Sequence, residues 1–514
     1  MKRRLVRLTL RQTVASLQEL LPAALAEQVA VTFQVPALEA RAFPPLSSQE
    51  EGAFITEGLW AKSESIAKTA AQFVRDNYQA VTGCQPADAR DACATAFIAS
   101  FSERAFRRPL DEQERTSLLQ VFTESKAVGA GVAEATQHVV WAILSSPHFV
   151  YRRELGAPSA GATAPTALTN HELATALSFF LVDGPPDAAL LDAAKSERLS
   201  SADGVGVEVD RLLATPQART NLQQAVFAYF GIGNLDAVII DPEKAPTFTV
   251  GLKNAMFHET QEFIGTTLFG GPVEELLTSR KTIVNPDLAA LYGIPFPGQS
   301  TAADNFVPVE LPASRAGLLT QAGFLAARAR PDKDSVVGRG LLVAATMLCA
   351  QNPDQPPDGL KDQIAAVSTQ LADKTEREKS EYRLAQANCG ICHRNFDAYG
   401  LVLQNFDLIG AYRSTDELGR PIDASATLPA DAGGELTPDA AGLGRALASS
   451  GAFTTCMTRN LMKYALAEGN VNRDDCAVQE VSRKVLAGPR TFASLVREIA
   501  VSKTFGNRSA EVQP

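Results

Sequence analysis

Two cysteines and a histidine have the spacing of a haem-attachment motif. The segment Cys389-Gly390-Ile391-Cys392-His393 places two thiols three residues apart and an imidazole directly after the second. Residues i and i+3 share one face of a helical turn, so both sulfurs can form thioether bonds with the vinyl groups of one haem. His393 would bind the iron as its proximal ligand. We therefore predict one covalent haem c, bound by Cys389, Cys392 and His393.

Two other sites can use the same residue types. A zinc site would need a second Cys or His pair at a similarly short spacing, and a redox dithiol usually lies at a strand-to-helix junction. Neither context is evident around residues 389–393. The haem interpretation is therefore favoured, and the other two remain alternatives.

The sixth iron ligand decides what such a haem can do. Met457 and Met462 follow the motif by a distance that suits a small cytochrome, and the predicted helix Phe453 to Ala467 could face the porphyrin. A methionine ligand suits electron transfer, whereas an open position binds small ligands or peroxide. A methionine is more often an ordinary core residue, which is the alternative for each. Tyr412 and Arg413 could reach a haem propionate, or belong to a core turn with a surface arginine.

The remaining histidines do not indicate iron ligation. A lone histidine is usually structural or solvated, and two of these lie at predicted helix starts, which explains them locally. They are His138, His148, His171 and His258. No order of Ser, His and Asp and no cluster of metal-binding carboxylates stands out either.

The other cysteines suggest disulfides and therefore an oxidising compartment. Cys84 and Cys93 lie nine residues apart, and Cys456 and Cys476 flank a predicted helix and loop, so we expect two disulfides with Cys349 left over. The second pair requires the loop to run back along its helix. Free buried thiols are the alternative for each pair.

Length and charge limit the protein class. A chain of 514 residues is too long for one core, and a net charge of −10 argues against nucleic-acid or anionic-membrane surfaces. No apolar run is long enough to span a membrane. The segment Leu5 to Leu21 contains several polar residues and is predicted to be an amphipathic helix rather than a leader. Because haem c implies export, we expect the native start to lie upstream, and a periplasmic or outer-surface location.

Helix-start signals recur along the chain, and alternating strand patterns are scarce. Asp111 to Glu114 and Thr169 to Glu172 form predicted capping boxes, and a capping side chain precedes proline at Thr215, Asn285 and Thr437. Gly293 is predicted to end a helix. The fold class is therefore mainly α, in several helical modules.

Proline, glycine and small polar residues mark the predicted boundaries. Gly156 to Ala167 resembles a flexible linker, Pro295 to Pro312 is a second break, and Asn352 to Pro357 leads into a charged helix from Lys361 to about Ala387. We predict five modules. They are residues 1–80, 81–155 with the Cys84–Cys93 pair, 169–296, 311–413 with the cytochrome c-like haem site, and 436–507.

Several stretches resemble, in order, the planctomycete-type cytochrome c-associated multi-domain family, whose members are strings of domains of unknown function that end in a haem-binding module. The matching stretches are 7–21, 101–110 with 146–152, 172–181 with 285–294, 315–320 with 389–413, and 464–466. Many members have Met-Asp-Pro after the haem motif, where this chain has Phe396-Asp397-Ala398. The resemblance implies the architecture more firmly than an activity.

These observations predict an extracytoplasmic mono-haem c protein with an electron-transfer or redox role and a redox partner protein or an unidentified substrate. One alternative is an oxidoreductase whose haem activates peroxide or oxygen, or oxidises a substrate held by the helical part. Another is a non-catalytic surface binding protein in which haem is structural or absent. The sequence does not indicate an oligomeric state.

Overall fold

The protein is mainly α-helical, as predicted. The computed structural model describes residues 2–33, 56–85, 91–157, 165–351, 359, 367, 369–469, 471–472 and 474–512. The helices before residue 300 are α1 (Leu10–Leu20), α2 (Ala23–Thr32), α3 (Glu57–Asp76), α4 (Tyr78–Thr82), α5 (Ala92–Phe106), α6 (Glu112–Ala127), α7 (Val132–Ser145), α8 (Pro147–Val150), α9 (Asn170–Leu181), α10 (Ala188–Lys195), α11 (Ala202–Leu213), α12 (Pro216–Tyr229), α13 (Val250–Leu268), α14 (Glu275–Thr278) and α15 (Pro286–Tyr292).

The remaining helices carry or surround the predicted haem site. They are α16 (Ala322–Ala326), α17 (Val336–Met347), α18 (Glu376–Ala385), α19 (Ala387–His393), α20 (Asp397–Leu401), α21 (Ala440–Ser450), α22 (Ala452–Leu466), α23 (Cys476–Ala487), α24 (Phe492–Ala500) and α25 (Lys503–Gly506). The strands are β1 (Lys2–Arg7), β2 (Tyr151–Glu154), β3 (Thr166–Ala167), β4 (Lys281–Val284), β5 (Val307–Glu310), β6 (Ala426–Thr427), β7 (Leu436–Thr437) and β8 (Asn507–Val512).

Most predicted helix starts are confirmed, because capping is decided by neighbours in the chain. The side chains of Asp111 and Thr169 accept hydrogen bonds from the backbone three residues on, in complete capping boxes. Thr215 and Asn285 cap α12 and α15 just before a proline. Gly293 ends α15 with a φ of 68°, in the left-handed region that suits glycine.

Three local predictions are wrong. The segment predicted as one helix from Leu5 to Leu21 is strand β1 followed by α1, because the Thr9 capping box starts the helix at Leu10. Thr437 belongs to β7, and Asp439 caps α21 instead. In the described part of 361–387, residues 367 and 369–370 are helical, but a turn at 371–374 interrupts the predicted helix, and the Thr375 capping box with Glu378 sets a new start at α18.

Strand β1 forms because distant segments pair with it. The four-stranded sheet has the order β2-β1-β8-β3, with β1 antiparallel to β2 and parallel to β8. Glu154 of β2 accepts hydrogen bonds from Arg4 Nε (2.8 Å) and Arg508 Nε (3.0 Å), and all three side chains are buried. This sheet brings the first and last described segments together.

Two apolar clusters hold most of the described helices. The first packs α1 to α8 around residues such as Leu17, Ala70 and Val139. The second runs from Leu168 to Phe505 and includes residues on both sides of the predicted haem site. Residues 158–164 of the predicted linker, and the whole of 352–357, lie outside the described residues.

Two disulfides are present, and one differs from the prediction. Cys84 pairs with Cys93, as predicted. Cys456 pairs with Cys349 and not with Cys476, whose thiol is unpaired and exposed. The prediction failed because Cys456 lies on α22, which packs against α17, and Cys349 follows the end of α17. In the described segments, every helix is too short or too polar to cross a membrane.

Candidate functional site

The predicted haem motif forms a short helix folded against the helix before it. Only Gln386 separates α18 from α19, and its carbonyl accepts a hydrogen bond from Gly390 N at 2.7 Å. A Cβ atom at Gly390 would lie 2.7 Å from the carbonyl oxygen of Leu384. Glycine at this position therefore allows the backbones of α18 and α19 to approach closely.

Both thiols of the motif are unpaired. Cys389 and Cys392 are half-buried and form no disulfide with each other, and Cys392 packs against the second apolar cluster. Ile391, between them, is 65% exposed. The motif thus offers two reduced sulfurs, three residues apart, on a helix that solvent can reach.

His393 is oriented by a buried carboxylate. Its Nδ1 lies 2.8 Å from Asp397 Oδ1, and its ring centroid lies 5.0 Å from that of Phe396. A carboxylate only accepts hydrogen bonds, so Nδ1 is the donor and carries the proton. Within the described residues, Nε2 makes no hydrogen bond. In the neutral imidazole, Nε2 therefore holds the lone pair that a metal requires.

Asp397 is itself held by α18. Its side chain is 1% exposed, and Oδ2 accepts hydrogen bonds from Ser380 Oγ (2.7 Å) and Arg383 Nε (3.0 Å). Burial raises the pKa of Asp397, but the hydrogen bond from His393 and the charge of Arg383 lower it by more. The pKa therefore lies below its usual value, and Asp397 is a charged acceptor at neutral pH.

This arrangement fits a covalently attached haem. A metal-binding histidine commonly donates its other ring nitrogen to a carboxylate, which fixes the ring and makes the ligand more basic. Here the His393–Asp397 pair stands next to two unpaired thiols at thioether spacing. Over the described segments, no group of three or more His, Cys, Asp and Glu side chains is placed to hold a bare metal ion.

The structure places both methionine candidates in the core. Met457 and Met462 lie on α22, and each is 1% exposed within the second apolar cluster. Helix α22 packs against α17, α21, α23 and α24, whereas the main neighbour of α19 is α18. Ligation by either methionine stays a prediction, and it would require α22 to give up core packing.

Two other side chains predicted near the haem have protein contacts. Arg413 Nη2 lies 2.8 Å from Asp334 Oδ2, and its Nε donates to the carbonyl of Gln404 at 3.3 Å. Tyr412 is 51% exposed, with its ring edge on Phe406. The guanidinium of Arg413 therefore already shares Asp334 with Arg339, and contact with a propionate stays a prediction.

The other histidines have local surroundings. His148 contacts Arg108 and Glu114, His138 Nδ1 lies 3.1 Å from Ser125 Oγ, and the ring of His258 lies against Phe306. His171 is in the first turn of α9, and burial lowers its pKa. None of these contacts involves the segment from Cys389 to His393.

Sequence reasoning missed two residues that shape this site. Asp397 was noted only as part of a departure from the family pattern, although its spacing of four from His393 suits contact across one helical turn. Arg339 of α17 is 1% exposed and donates to the carbonyls of Phe406 (2.6 Å) and Leu403 (3.3 Å). It fixes the turn after α20 to α17, and the sequence carried no signal for that contact.

Comparison with known families supplies the architecture. Four family profiles match the chain: "Protein of unknown function (DUF1595)" over residues 93–154, "Protein of unknown function (DUF1592)" over 168–294, "Protein of unknown function (DUF1588)" over 315–416 and "Protein of unknown function (DUF1585)" over 433–505. No curated protein and no solved structure matches. The four matches identify the chain as a multi-domain protein built from the planctomycete-type cytochrome c-associated series of domains of unknown function.

Proposed function

We propose that this protein is an extracytoplasmic c-type cytochrome that carries one haem and transfers electrons to or from a partner protein. The observation that carries the proposal is the His393–Asp397 pair, with its buried carboxylate, beside the unpaired thiols of Cys389 and Cys392. When bound there, a haem would supply one-electron chemistry at its iron.

The chain's residues have distinct roles in this proposal. Cys389 and Cys392 would hold the haem through two thioether bonds. His393 would bind the iron through Nε2, and Asp397 keeps the proton on Nδ1, which makes the imidazole a stronger electron-pair donor. The exposure of Ile391 leaves this side of α19 open to a partner protein.

Location outside the cytoplasm is supported by the cysteines. Disulfides persist in oxidising compartments, and Cys84–Cys93 and Cys349–Cys456 are both formed. The same compartments are where covalent haem proteins are expected.

A second candidate function is a haem enzyme with an open distal position. The observation that favours it is the burial of both methionine candidates, since Met457 and Met462 are each 1% exposed in the core. An iron that lacks a protein ligand on its distal side can bind oxygen or peroxide.

The deciding experiment is a visible spectrum of protein exported by a host with a haem-attachment system. Covalent haem stays on the chain after denaturation. Replacing Cys389 and Cys392 together by alanine should abolish attachment, whereas Cys476→Ala, which removes an exposed unpaired thiol elsewhere, should not. Covalent haem in the double variant, or no haem in the wild type, would contradict the proposal.

The iron ligands are tested on the same material. His393→Ala should keep the thioethers and change the spectrum, and His138→Ala is the matched control; an unchanged spectrum in His393→Ala excludes it as a ligand. A low-spin spectrum that is lost in Met457→Leu or Met462→Leu supports electron transfer. A high-spin spectrum that responds to added ligands supports the enzyme.

A further inference from the structure

The disulfide between Cys349 and Cys456 joins two parts of the chain that match different families. Cys349 follows α17 in the segment matched over residues 315–416, and Cys456 lies on α22 in the segment matched over 433–505. The two cysteines are 107 residues apart in the sequence. This disulfide is therefore a long-range cross-link beside the predicted haem module.

Hydrogen-bond donors surround its two sulfur atoms. Asn460 Nδ2 lies 3.1 Å from Cys349 Sγ and 3.6 Å from Cys456 Sγ, and Arg459 Nη1 lies 3.7 Å from Cys349 Sγ. The hydroxyl oxygen of Tyr229 also lies 3.3 Å from Cys456 Sγ, but its proton is donated to the carbonyl of Thr346. Amide and guanidinium groups stabilise a thiolate much more than they stabilise a disulfide sulfur. They therefore favour the reduced state relative to a disulfide in apolar surroundings.

Access and backbone conformation distinguish the two sulfurs. Cys456 is fully buried, whereas Cys349 is half-buried. Cys349 also has a φ of 54°, in the left-handed region that residues other than glycine rarely adopt. Cys349 is thus the more accessible of the two residues for an incoming thiolate, and the leaving sulfur is that of Cys456, 3.6 Å from Asn460 Nδ2.

We propose that Cys349–Cys456 is a thiol–disulfide exchange site that accepts two electrons from a dithiol of a partner protein. A partner thiolate attacks Cys349 Sγ, the S–S bond breaks, and its electron pair goes to Cys456 Sγ. The second partner thiol then attacks the mixed disulfide and releases Cys349. The partner ends as a disulfide, and its two protons go to the two protein thiolates. The proposal does not depend on haem.

The second disulfide provides an internal reference. Cys84 is 1% exposed, and its sulfur lies 3.6 Å from the carbonyl oxygen of Thr82. The sulfurs of Cys349 and Cys456 also lie near carbonyl oxygens, at 3.4 and 3.5 Å, so the difference between the disulfides is the amide of Asn460 and the guanidinium of Arg459. A carbonyl oxygen is an acceptor and does not stabilise a thiolate. Cys84–Cys93 should therefore be the harder of the two disulfides to reduce.

The test is a redox titration of the full-length oxidised protein. It is equilibrated in buffers with graded ratios of reduced to oxidised dithiothreitol, alkylated and mapped by mass spectrometry. Cys349–Cys456 should open in buffers at least tenfold less reducing than Cys84–Cys93, which corresponds to about 30 mV. The proposal is overturned if Cys84–Cys93 opens first or if both open at one ratio.

Substitutions on α22 test the role of the donors. Asn460→Ala should make Cys349–Cys456 roughly tenfold harder to reduce, because both sulfurs of the reduced site lose a donor. Thr458→Ala is the control, since Thr458 is equally buried and bonds only to the carbonyl of Thr454. If Asn460→Ala does not fold, Arg459→Ala takes its place and should also make the disulfide harder to reduce. If the redox titration of Cys349–Cys456 has the same midpoint in the donor variants as in the control, the donors do not favour reduction and the proposal is overturned.

The direction of attack has its own test. With oxidised glutathione, Cys456→Ser should form a mixed disulfide at Cys349, whereas Cys349→Ser should leave the buried Cys456 unmodified. Modification of Cys456 in preference to Cys349 would contradict the assignment of the attacked sulfur.

Discussion

Replacing Asp397 by asparagine removes the charge that holds His393 and keeps the size of the side chain. The carboxylate accepts hydrogen bonds from His393 (2.8 Å), Ser380 (2.7 Å) and Arg383 (3.0 Å). An asparagine Oδ1 can still accept from His393, and the Ser380 hydroxyl can rotate to accept from the new NH₂ group. Arg383 can only donate, so it loses its acceptor at Oδ2. Most of the lost free energy therefore comes from the Arg383–Asp397 hydrogen bond.

The expected loss is about 2 kcal/mol, since a hydrogen bond to a charged group contributes about 1.5–3 kcal/mol. Hydrogen exchange in peptides that span residues 376–401 measures it locally, which suits a chain with several domains. Exchange in Asp397→Asn should be about 30-fold faster than in the wild type at pH 7. Asp423→Asn is the control. Asp423 is an exposed residue that pairs with Arg377, which lies on α18 like Arg383. Such pairs contribute about 0–1 kcal/mol.

The pH dependence gives this prediction a second, independent check. Burial raises the pKa of Asp397, but the hydrogen bond from His393 and the charge of Arg383 lower it by more, so the folded pKa lies below the unfolded value. A depressed pKa contributes stability above the unfolded value of about 3.9, and this stability is lost as the pH falls through the folded pKa. The ratio of exchange rates should therefore shrink below pH 3.9. A ratio near one at pH 7, or a ratio that does not change with pH, refutes the reasoning.

Three further substitutions test close packing at two glycines and the burial of one carboxyl group. Gly390→Ala places a Cβ 2.7 Å from the Leu384 carbonyl oxygen, so exchange in α19 should rise by about tenfold or more. Gly317→Ala should lower the free energy of unfolding by about 2–3 kcal/mol in a urea titration, because its φ is 64° and its Cβ would lie 2.2 Å from the backbone of Leu277. Burial raises the pKa of Glu259 to about 7, so the wild type loses stability as the pH rises from about 4.3 through 7. Glu259→Gln resembles the protonated form. Its free energy of unfolding, measured in urea, should therefore rise relative to that of the wild type by on the order of 3 kcal/mol between pH 5 and pH 8. A difference between the two proteins that stays constant with pH would contradict this.

The features that were predictable from the sequence are those decided by near neighbours. Asp111 and Thr169 cap helices through contacts with residues three positions on. Gly293, in the left-handed conformation, ends α15 directly after its last residue. Strand β1 was missed because its partners, β2 and β8, lie roughly 150 and 500 residues away. A sequence pattern cannot supply partners at that distance, so the polar residues of β1 looked like one side of a helix.

The same limit applies to the site. The spacing of Cys389, Cys392 and His393 is local and could be recognised at once. The role of Asp397 depends on α18, because Ser380 and Arg383 reach its carboxylate only once α19 folds back. The pairing of Cys456 was mistaken for the same reason, since the choice between cysteines is made by helix packing.

The proposed exchange at Cys349–Cys456 requires that the protein stay folded when the cross-link opens. Closing a loop of about 100 residues contributes roughly 4–5 kcal/mol to stability, which reduction would remove. Helix α17 nevertheless has other attachments. A Cβ at Gly340 would lie 2.2 Å from the carbonyl oxygen of Phe396, and Arg339 donates to the carbonyls after α20. These backbone contacts hold α17 against the segment after His393 without the disulfide, so reduction should free the end of α17 at Cys349 and leave the His393 site in place.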